Sequence, residues 1–378
     1  MREGQMKDAD TIVLPRIDVP EAAEDPWGEG HGEAPGEPVN GTRRMRLAAW
    51  LVPALLMGAL VAVRADAPGP RVAELATWAG STSSWRDTWS MLGSGDAVPY
   101  HLLLRAWAEY FGTSESALRG LSVLVMAIAA ALVGALAARM FAPGTGVLAG
   151  VIFALLPTSA RYAQEAQPYA LTLLAAVLAT WLLQAAVDRP RLWRFVLYAA
   201  VAGLLGLCQV TALLLLVGHG WTVLAFRREV ALRWLAAAVL SALPGVGLLS
   251  HATRQGVSLA QTSSPSLTEL AATPGELFGV TALGAVLLVL VLFSLPLRYP
   301  AAVFTAWVAV PPLALLLVAQ ATPTWRPEFI LFTLPAWATL GAAALARCAS
   351  ACRRVCFWRW PGDGPRRVDG THVGPAGG

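Results

Sequence analysis

The stretch Gly120-Leu121-Ser122-Val123-Leu124-Val125-Met126-Ala127-Ile128-Ala129-Ala130-Ala131-Leu132-Val133-Gly134-Ala135-Leu136-Ala137-Ala138 contains no charged side chain. An α-helix of about 20 apolar residues crosses the roughly 30 Å of hydrocarbon in a bilayer, so this stretch reads as a membrane span. Runs of the same kind recur from Arg46 almost to Arg347: Leu47–Val63, Gly146–Ser159, Tyr169–Val187, Phe195–Leu207, Val210–Phe226, Leu232–Ser250, Leu277–Leu297, Ala301–Gln320 and Phe329–Ala346. Together they predict an all-α integral membrane protein with about ten transmembrane helices. The composition agrees, because 56% of the 378 residues are hydrophobic and only 14% charged, far from an ordinary soluble domain. The division at Cys208-Gln209 rests on one polar break. A single long span there would invert the parity of everything after it.

Basic residues in short loops stay cytoplasmic. With ten spans, one set of loops holds Arg43, Arg44, Arg46, Arg139, Arg189, Arg191, Arg194, Arg227, Arg228, Arg233, Arg298, Arg347, Arg353 and Arg354. The opposite set holds Asp66, Glu74, Asp87, Asp96, Glu109, Glu115, Glu165, Glu269, Glu276 and Glu328. This bias predicts a multi-pass plasma-membrane protein with both termini cytoplasmic and the acidic loops outside. It also accounts for the net charge of +4 without a nucleic-acid partner, since arginines that set topology also meet anionic lipid.

Residues 1–42 are rich in Gly, Pro and Glu and read as a disordered cytoplasmic tail, not a signal peptide. Residues 43–347 form the membrane domain, and 348–378 a basic cytoplasmic tail. Cys348, Cys352 and Cys356 fall four apart, on one face if the last helix continues past the membrane. Their spacing does not suit a zinc finger, and reduced or acylated thiols are the readings that fit a cytosolic location.

Polar chemistry collects on the acidic side. The first outer loop, residues 64–119, carries Glu74, Asp96, Tyr100, His101 and Arg105, with Trp78, Trp85 and Trp89 spaced as one helical stripe that suits interfacial anchoring. A second loop carries Arg161, Gln164 and Glu165, a third His251, Arg254, Gln255 and Glu269, and a fourth Trp325, Arg326 and Glu328. Arginines pair with phosphate and a carboxylate can take a hydroxyl proton. His219 lies inside a span and is expected to hydrogen-bond a neighbouring helix. Glu74, Asp96 and Glu165 offer the oxygen ligands Mg²⁺ prefers, but no metal or other cofactor is predicted.

The stretch Gly95-Asp96-Ala97-Val98-Pro99-Tyr100-His101-Leu102-Leu103-Leu104, then Trp107, Phe111-Gly112, Glu115 and Ala117-Leu118-Arg119, is followed in order by Gln164-Glu165-Ala166, Pro168-Tyr169-Ala170-Leu171 and Phe332-Thr333-Leu334-Pro335. This ordered set resembles actinobacterial polytopic glycosyltransferases of the GT-C superfamily, relatives of protein O-mannosyltransferases and lipid A aminoarabinose transferases. The resemblance implies transfer of a hexose, mannose first among the candidates, from a polyprenyl-phosphate sugar to an extracytoplasmic protein, lipid or glycan acceptor, with inversion. It implies an acid of the first outer loop that acts as base or positions the acceptor, with Asp96 and Glu74 as the base candidates. It also implies Arg161 and Arg326 as phosphate contacts, with Glu165, Gln164, His101 and Tyr100 as supporting substrate-binding groups.

The chain departs from that pattern at three places. Relatives carry Asp-Glu before Ala-Thr-Trp, where this chain has Ala73-Glu74-Leu75-Ala76-Thr77-Trp78; Arg-Tyr becomes Glu328-Phe329, with Arg326 two residues earlier; and Ser-Gln-Glu-Ala-Arg becomes Ala163-Gln164-Glu165-Ala166-Gln167. The alternatives are therefore a catalytically silent scaffold or lipid-binding protein of the same fold, and a transporter. The transporter would show charges inside several spans or broken helices in matching halves.

Overall fold

The computed structural model describes residues 39–63, 74, 77, 85–86, 97–254, 266–293, 299–321 and 325–358. Asp96, Trp78, Trp89, Gln255, Arg298 and nearly all of the tail up to residue 42 lie outside that set. The described residues form α1 (Val39–Val63), α2 (Val98–Phe111), α3 (Glu115–Met140), α4 (Pro143–Leu155), α5 (Pro157–Ala163), α6 (Tyr169–Asp188) and α7 (Leu192–Cys208). They continue with α8 (Leu215–Phe226), α9 (Ala231–Arg254), α10 (Leu267–Phe278), α11 (Thr281–Phe293), α12 (Ala301–Ala321) and α13 (Leu334–Trp358). A 3₁₀ segment, Pro327–Thr333, leads into α13. No strand occurs among the described residues, so the chain is an all-α polytopic membrane protein.

Among the described residues six helices are long and apolar enough to cross a bilayer, and two bent pairs raise the number to eight. The two apolar segments on either side of Gln209 are each 10–17 residues long. At 1.5 Å per residue they fall short of about 30 Å, so ten segments are present but not ten full-length spans. Gln209 itself is extended (φ −159°, ψ 111°), which breaks the helix where the sequence breaks its apolar run. The expected span Gly146–Ser159 is bent by 68° between Leu155 and Pro157, because Pro157 has no N–H to continue the α4 ladder and Leu156 is pushed out of helical geometry. The expected span Leu277–Leu297 is instead broken at Gly279, between α10 and α11, with a bend of 88°. The last helix runs on past Ala346 to Trp358, leaving Cys348 and Cys352 exposed on one face.

Burial follows membrane logic. On α1, Ala49, Pro53 and Met57 point inward at i, i+4 spacing while Leu47, Leu51 and Leu55 face out. On α9, Trp234, Ala237, Ala238 and Ser241 are buried, and Leu232, Leu235, Val239, Leu243 and Val246 form the opposite stripe. An exposed face that remains leucine and valine is what lipid requires. Helix ends are finished with local chemistry: Ser114 caps α3 by accepting from Ala117 N at 3.3 Å, and Ser266 with Glu269 forms a capping box on α10. Glu269, named above with the outer-loop groups, is thus a helix cap.

His219 bonds to two neighbouring helices. Its Nε2 lies 3.1 Å from Thr180 Oγ1 of α6 and its Nδ1 lies 3.0 Å from Tyr198 Oη of α7. Thr180 donates its one proton to Ala176 O at 2.9 Å, so it accepts from the imidazole. Nε2 then carries the proton, Nδ1 accepts from Tyr198, and Tyr198 accepts from Trp234 Nε1 of α9 at 3.3 Å. Four helices are tied by a chain in which each donor has one acceptor. Tyr198→Phe would strand both His219 Nδ1 and the Trp234 N–H, and is expected to cost about 1–2 kcal/mol, read as a lowered melting midpoint in detergent. An unchanged midpoint would show that the chain is not stabilising.

Candidate functional site

The site is built on the two helix breaks. At the first, Pro157 starts α5, a helix of two turns that turns away from α4 and carries Arg161 and Tyr162. Arg161 Nε donates to Glu165 Oε1 at 2.8 Å across i, i+4 spacing; the carboxylate is buried and the guanidinium half exposed. Arg161 also lies over the Tyr162 ring at 5.3 Å, and Tyr162 packs edge-on against Tyr169 at 4.8 Å. At the second break, Gly279 is left-handed (φ +80°), a conformation that glycine adopts without a Cβ penalty. A Cβ there would stand 2.7 Å from Pro157 Cβ, so the two breaks are in direct contact and only glycine permits it.

Between them opens a cavity of about 450 Å³ whose third wall is the 3₁₀ segment. Arg161, Tyr162 and Thr158 line it from α5, Glu276 from α10 and Glu328 from the 3₁₀ segment. Arg326 Nε sits 3.9 Å from Glu328 Oε2, too long for a firm hydrogen bond, and both side chains keep partial solvent access. One guanidinium, from Arg161, and two carboxylates, from Glu276 and Glu328, thus line a single cavity.

A second cavity, about 610 Å³ and apolar, lies between α10, α11, α12 and α13. Leu277, Phe278, Leu288, Val308, Ile330 and Trp337 are among its walls. It shares α10 and the 3₁₀ segment with the polar cavity: Glu276 and Glu328 turn to one, Leu277 and Ile330 to the other. An apolar space within the membrane helices thus adjoins a charged one.

The other predicted groups are distributed around this centre. Glu165 is buried behind Arg161, and Gln164 ends α5, half-buried in the turn that leads to Pro168. Glu74 is buried and does not line the cavity. Its carboxylate accepts from Arg119 Nε at 3.2 Å, Arg119 Nη2 at 2.9 Å and Ala166 N at 3.0 Å. Tyr100 and His101 lie on α2, ring against ring at 5.8 Å, away from the cavity wall. Burial lowers the His101 pKa and raises that of Tyr100, so each is held neutral near pH 7. Asp96 lies outside the described residues. Trp85 does meet α2, donating to Glu109 Oε1 at 2.6 Å beneath Arg105.

Sequence reasoning passed over Tyr162 as a site residue, counted Glu276 only among the outer acids, and placed Glu328 in the fourth polar loop and among the departures from the motif without giving it a role. The available signal was the acid of the fourth loop beside Arg326; Glu276 had none beyond its side of the membrane. Among the described residues no cluster of three His, Cys, Asp or Glu is arranged to hold a metal ion.

Residues 97–250 match the family model described as dolichyl-phosphate-mannose-protein mannosyltransferase. No curated protein matches the chain. The matched stretch is less than half of the chain; it contains Tyr100, His101, Arg161, Gln164 and Glu165, begins after Glu74 and Asp96, and ends before Glu276, Arg326 and Glu328. Over that stretch the chain is similar to membrane glycosyltransferases of the GT-C type, and the match supports a transferase of that general kind.

Proposed function

We propose that the chain transfers a hexose, mannose in the first instance, from a polyprenyl-phosphate sugar to a hydroxyl of an extracytoplasmic acceptor, with inversion. The observation that carries this reading is the polar cavity holding Arg161, Glu276 and Glu328, set against an apolar cavity through the same walls. Glu165 occupies Arg161 Nε, which leaves the two terminal amino groups of the guanidinium to form a fork toward a phosphate. The apolar cavity offers room for the first isoprene units of the carrier.

In the reaction the acceptor oxygen bonds to the anomeric carbon as the bond from that carbon to the phosphate oxygen breaks. The electron pair leaves with the polyprenyl phosphate, whose growing charge Arg161 stabilises. The acceptor proton passes to a carboxylate, and Glu328, half-buried and opposite Arg161, is assigned that role. One displacement inverts the centre. Asp96 of the first loop is the other candidate base. In this reading both termini lie in the cytoplasm and the cavity opens on the outer face, an orientation that the arginine bias favours.

The test is transfer of radiolabelled mannose from its polyprenyl phosphate by membranes containing the chain, given a mixed lipid and protein acceptor extract. Glu328→Gln is expected to lower transfer by about 10²–10⁴-fold at unchanged expression, as loss of a general base does. Loss on Asp96→Asn with Glu328→Gln active would move the base to the first loop. No incorporation above empty membranes, with mannose and with other lipid-linked sugars, would favour the silent scaffold. Two broken helices that meet at a polar cavity also resemble the way transporters hold substrates. Solute flux that follows an ion gradient, without sugar incorporation, would favour that second reading.

A further inference from the structure

The Glu74 carboxylate sits where two arginine–glutamate pairs stand back to back. Arg119 grips it with a two-point fork from the first turn of α3, and its Oε1 also takes the amide proton of Ala166. Ala166 follows Glu165, the residue that holds Arg161. Positions 74, 119 and 166, far apart in sequence, thus converge on one buried carboxylate, and the peptide between Glu165 and Ala166 connects the two pairs. Arg119 lies within electrostatic reach of Glu165 as well.

We propose that Glu74 is a positioning residue: it anchors the turn from Gln164 to Gln167 on α3 and so fixes Glu165 and, through it, the direction in which Arg161 presents its free amino groups to the cavity. This rests on the transferase reading above. A general base must bring a lone pair within about 3 Å of the substrate proton. Glu74 has Oε1 shared between two N–H donors and Oε2 on a guanidinium, with 5% of its side chain exposed. Within the turn, Gln164 N donates to Arg161 O at 2.9 Å and Gln167 N to Glu165 O at 2.8 Å, local bonds that do not tie it to α3 as Glu74 does.

Glu74→Gln keeps a carbonyl oxygen for Ala166 N–H and loses the charge; Glu74→Ala loses both. For a positioning role, the glutamine variant retains transfer within about tenfold of wild type, and the acid limb of its pH–rate profile stays in place. The alanine variant loses about a hundredfold, the scale of a misplacement of about 1 Å, in kcat more than in KM. A loss beyond about a thousandfold in Glu74→Gln, with the acid limb gone, would make Glu74 the base and overturn the proposal.

A second readout does not need activity. Melting midpoints of Glu74→Gln, Arg119→Met and the double variant in detergent are expected to be non-additive, the double variant falling no further than the worse single one. Additive shifts would overturn the latch. If wild type transfers no sugar from any donor, the transferase reading fails while the melting cycle still decides whether Glu74 and Arg119 act as one unit.

Discussion

Gly146→Val is expected to prevent assembly of the helix bundle, seen as loss of monodisperse protein after detergent extraction and a collapse of the melting midpoint. Gly146 and Gly150 stand four apart on α4, a spacing that puts both on one face. A Cβ on Gly146 would lie 2.4 Å from Gly134 O, 2.5 Å from Ala138 Cβ and 2.7 Å from Ala138 N, all on α3. A Cβ on Gly150 would meet Pro53 Cγ of α1 at 2.2 Å, and one on Gly134 would meet Ala49 O of α1 at 2.1 Å. Three helices therefore approach through backbone, with no flexible side-chain end that could swing aside.

Overpacking in a core commonly costs about 1–3 kcal/mol when side chains can shift. Here the obstacle is mostly main chain on α3, so the loss for valine should exceed about 3 kcal/mol. The control is Gly58→Ala on α1, where a Cβ meets nothing within 4 Å. That change should leave the midpoint unmoved or raise it slightly, because alanine favours helix over glycine by up to about 1 kcal/mol. A Gly146→Val protein that melts like wild type would mean α3 and α4 can separate without consequence.

The same comparison shows which parts of the fold a sequence can carry. Apolar length and the arginine bias are local properties, and helices at the expected segments follow from them. Gln209 marks its break as the one polar interruption of a long apolar run, and Pro157 breaks a helix through its own chemistry, although the expected span Gly146–Ser159 ran across it. Gly279 could not be read that way: the apolar run continues across it, and its left-handed geometry makes sense only once Pro157 is packed against it. The site divides along the same line. Arg161 on α5 and Glu165, two residues past its end, pair at i, i+4, so the sequence held their contact. Glu74 and Arg119 are 45 residues apart, and Glu276 and Glu328 line one cavity from separate segments of the chain. Such contacts depend on how helices cross, which periodicity does not encode. The resemblance placed Glu74 as a candidate base by motif alone, whereas its partners are visible only in three dimensions.

Arg161→Ala is expected to lower kcat/KM for sugar transfer by about 10²–10³-fold, the cost of removing a donor aimed at developing charge. The physical case rests on where the guanidinium stands. Glu165 fixes it through Nε from a buried position, the Tyr162 ring stacks against it, and Arg161 lines the charged cavity together with Glu276 and Glu328. If Arg161 stabilises the leaving phosphate, the loss appears chiefly in kcat, because the added charge exists only as the sugar–phosphate bond breaks. If it only binds donor, KM rises and kcat stays. Arg161→Lys separates charge from shape: an ammonium supplies a point charge without the fork, and lacks the Nε that Glu165 holds, so it should recover only part of the loss. Removal of Arg161 also leaves Glu165 a buried carboxylate short of a partner, which destabilises the turn on its own account. Arg161→Ala combined with Glu165→Gln corrects for that, since glutamine carries no charge to strand. Transfer should remain low in the double variant while its melting midpoint returns toward wild type. Recovery of both together would make Arg161 a structural partner of Glu165 and remove it from the phosphate site.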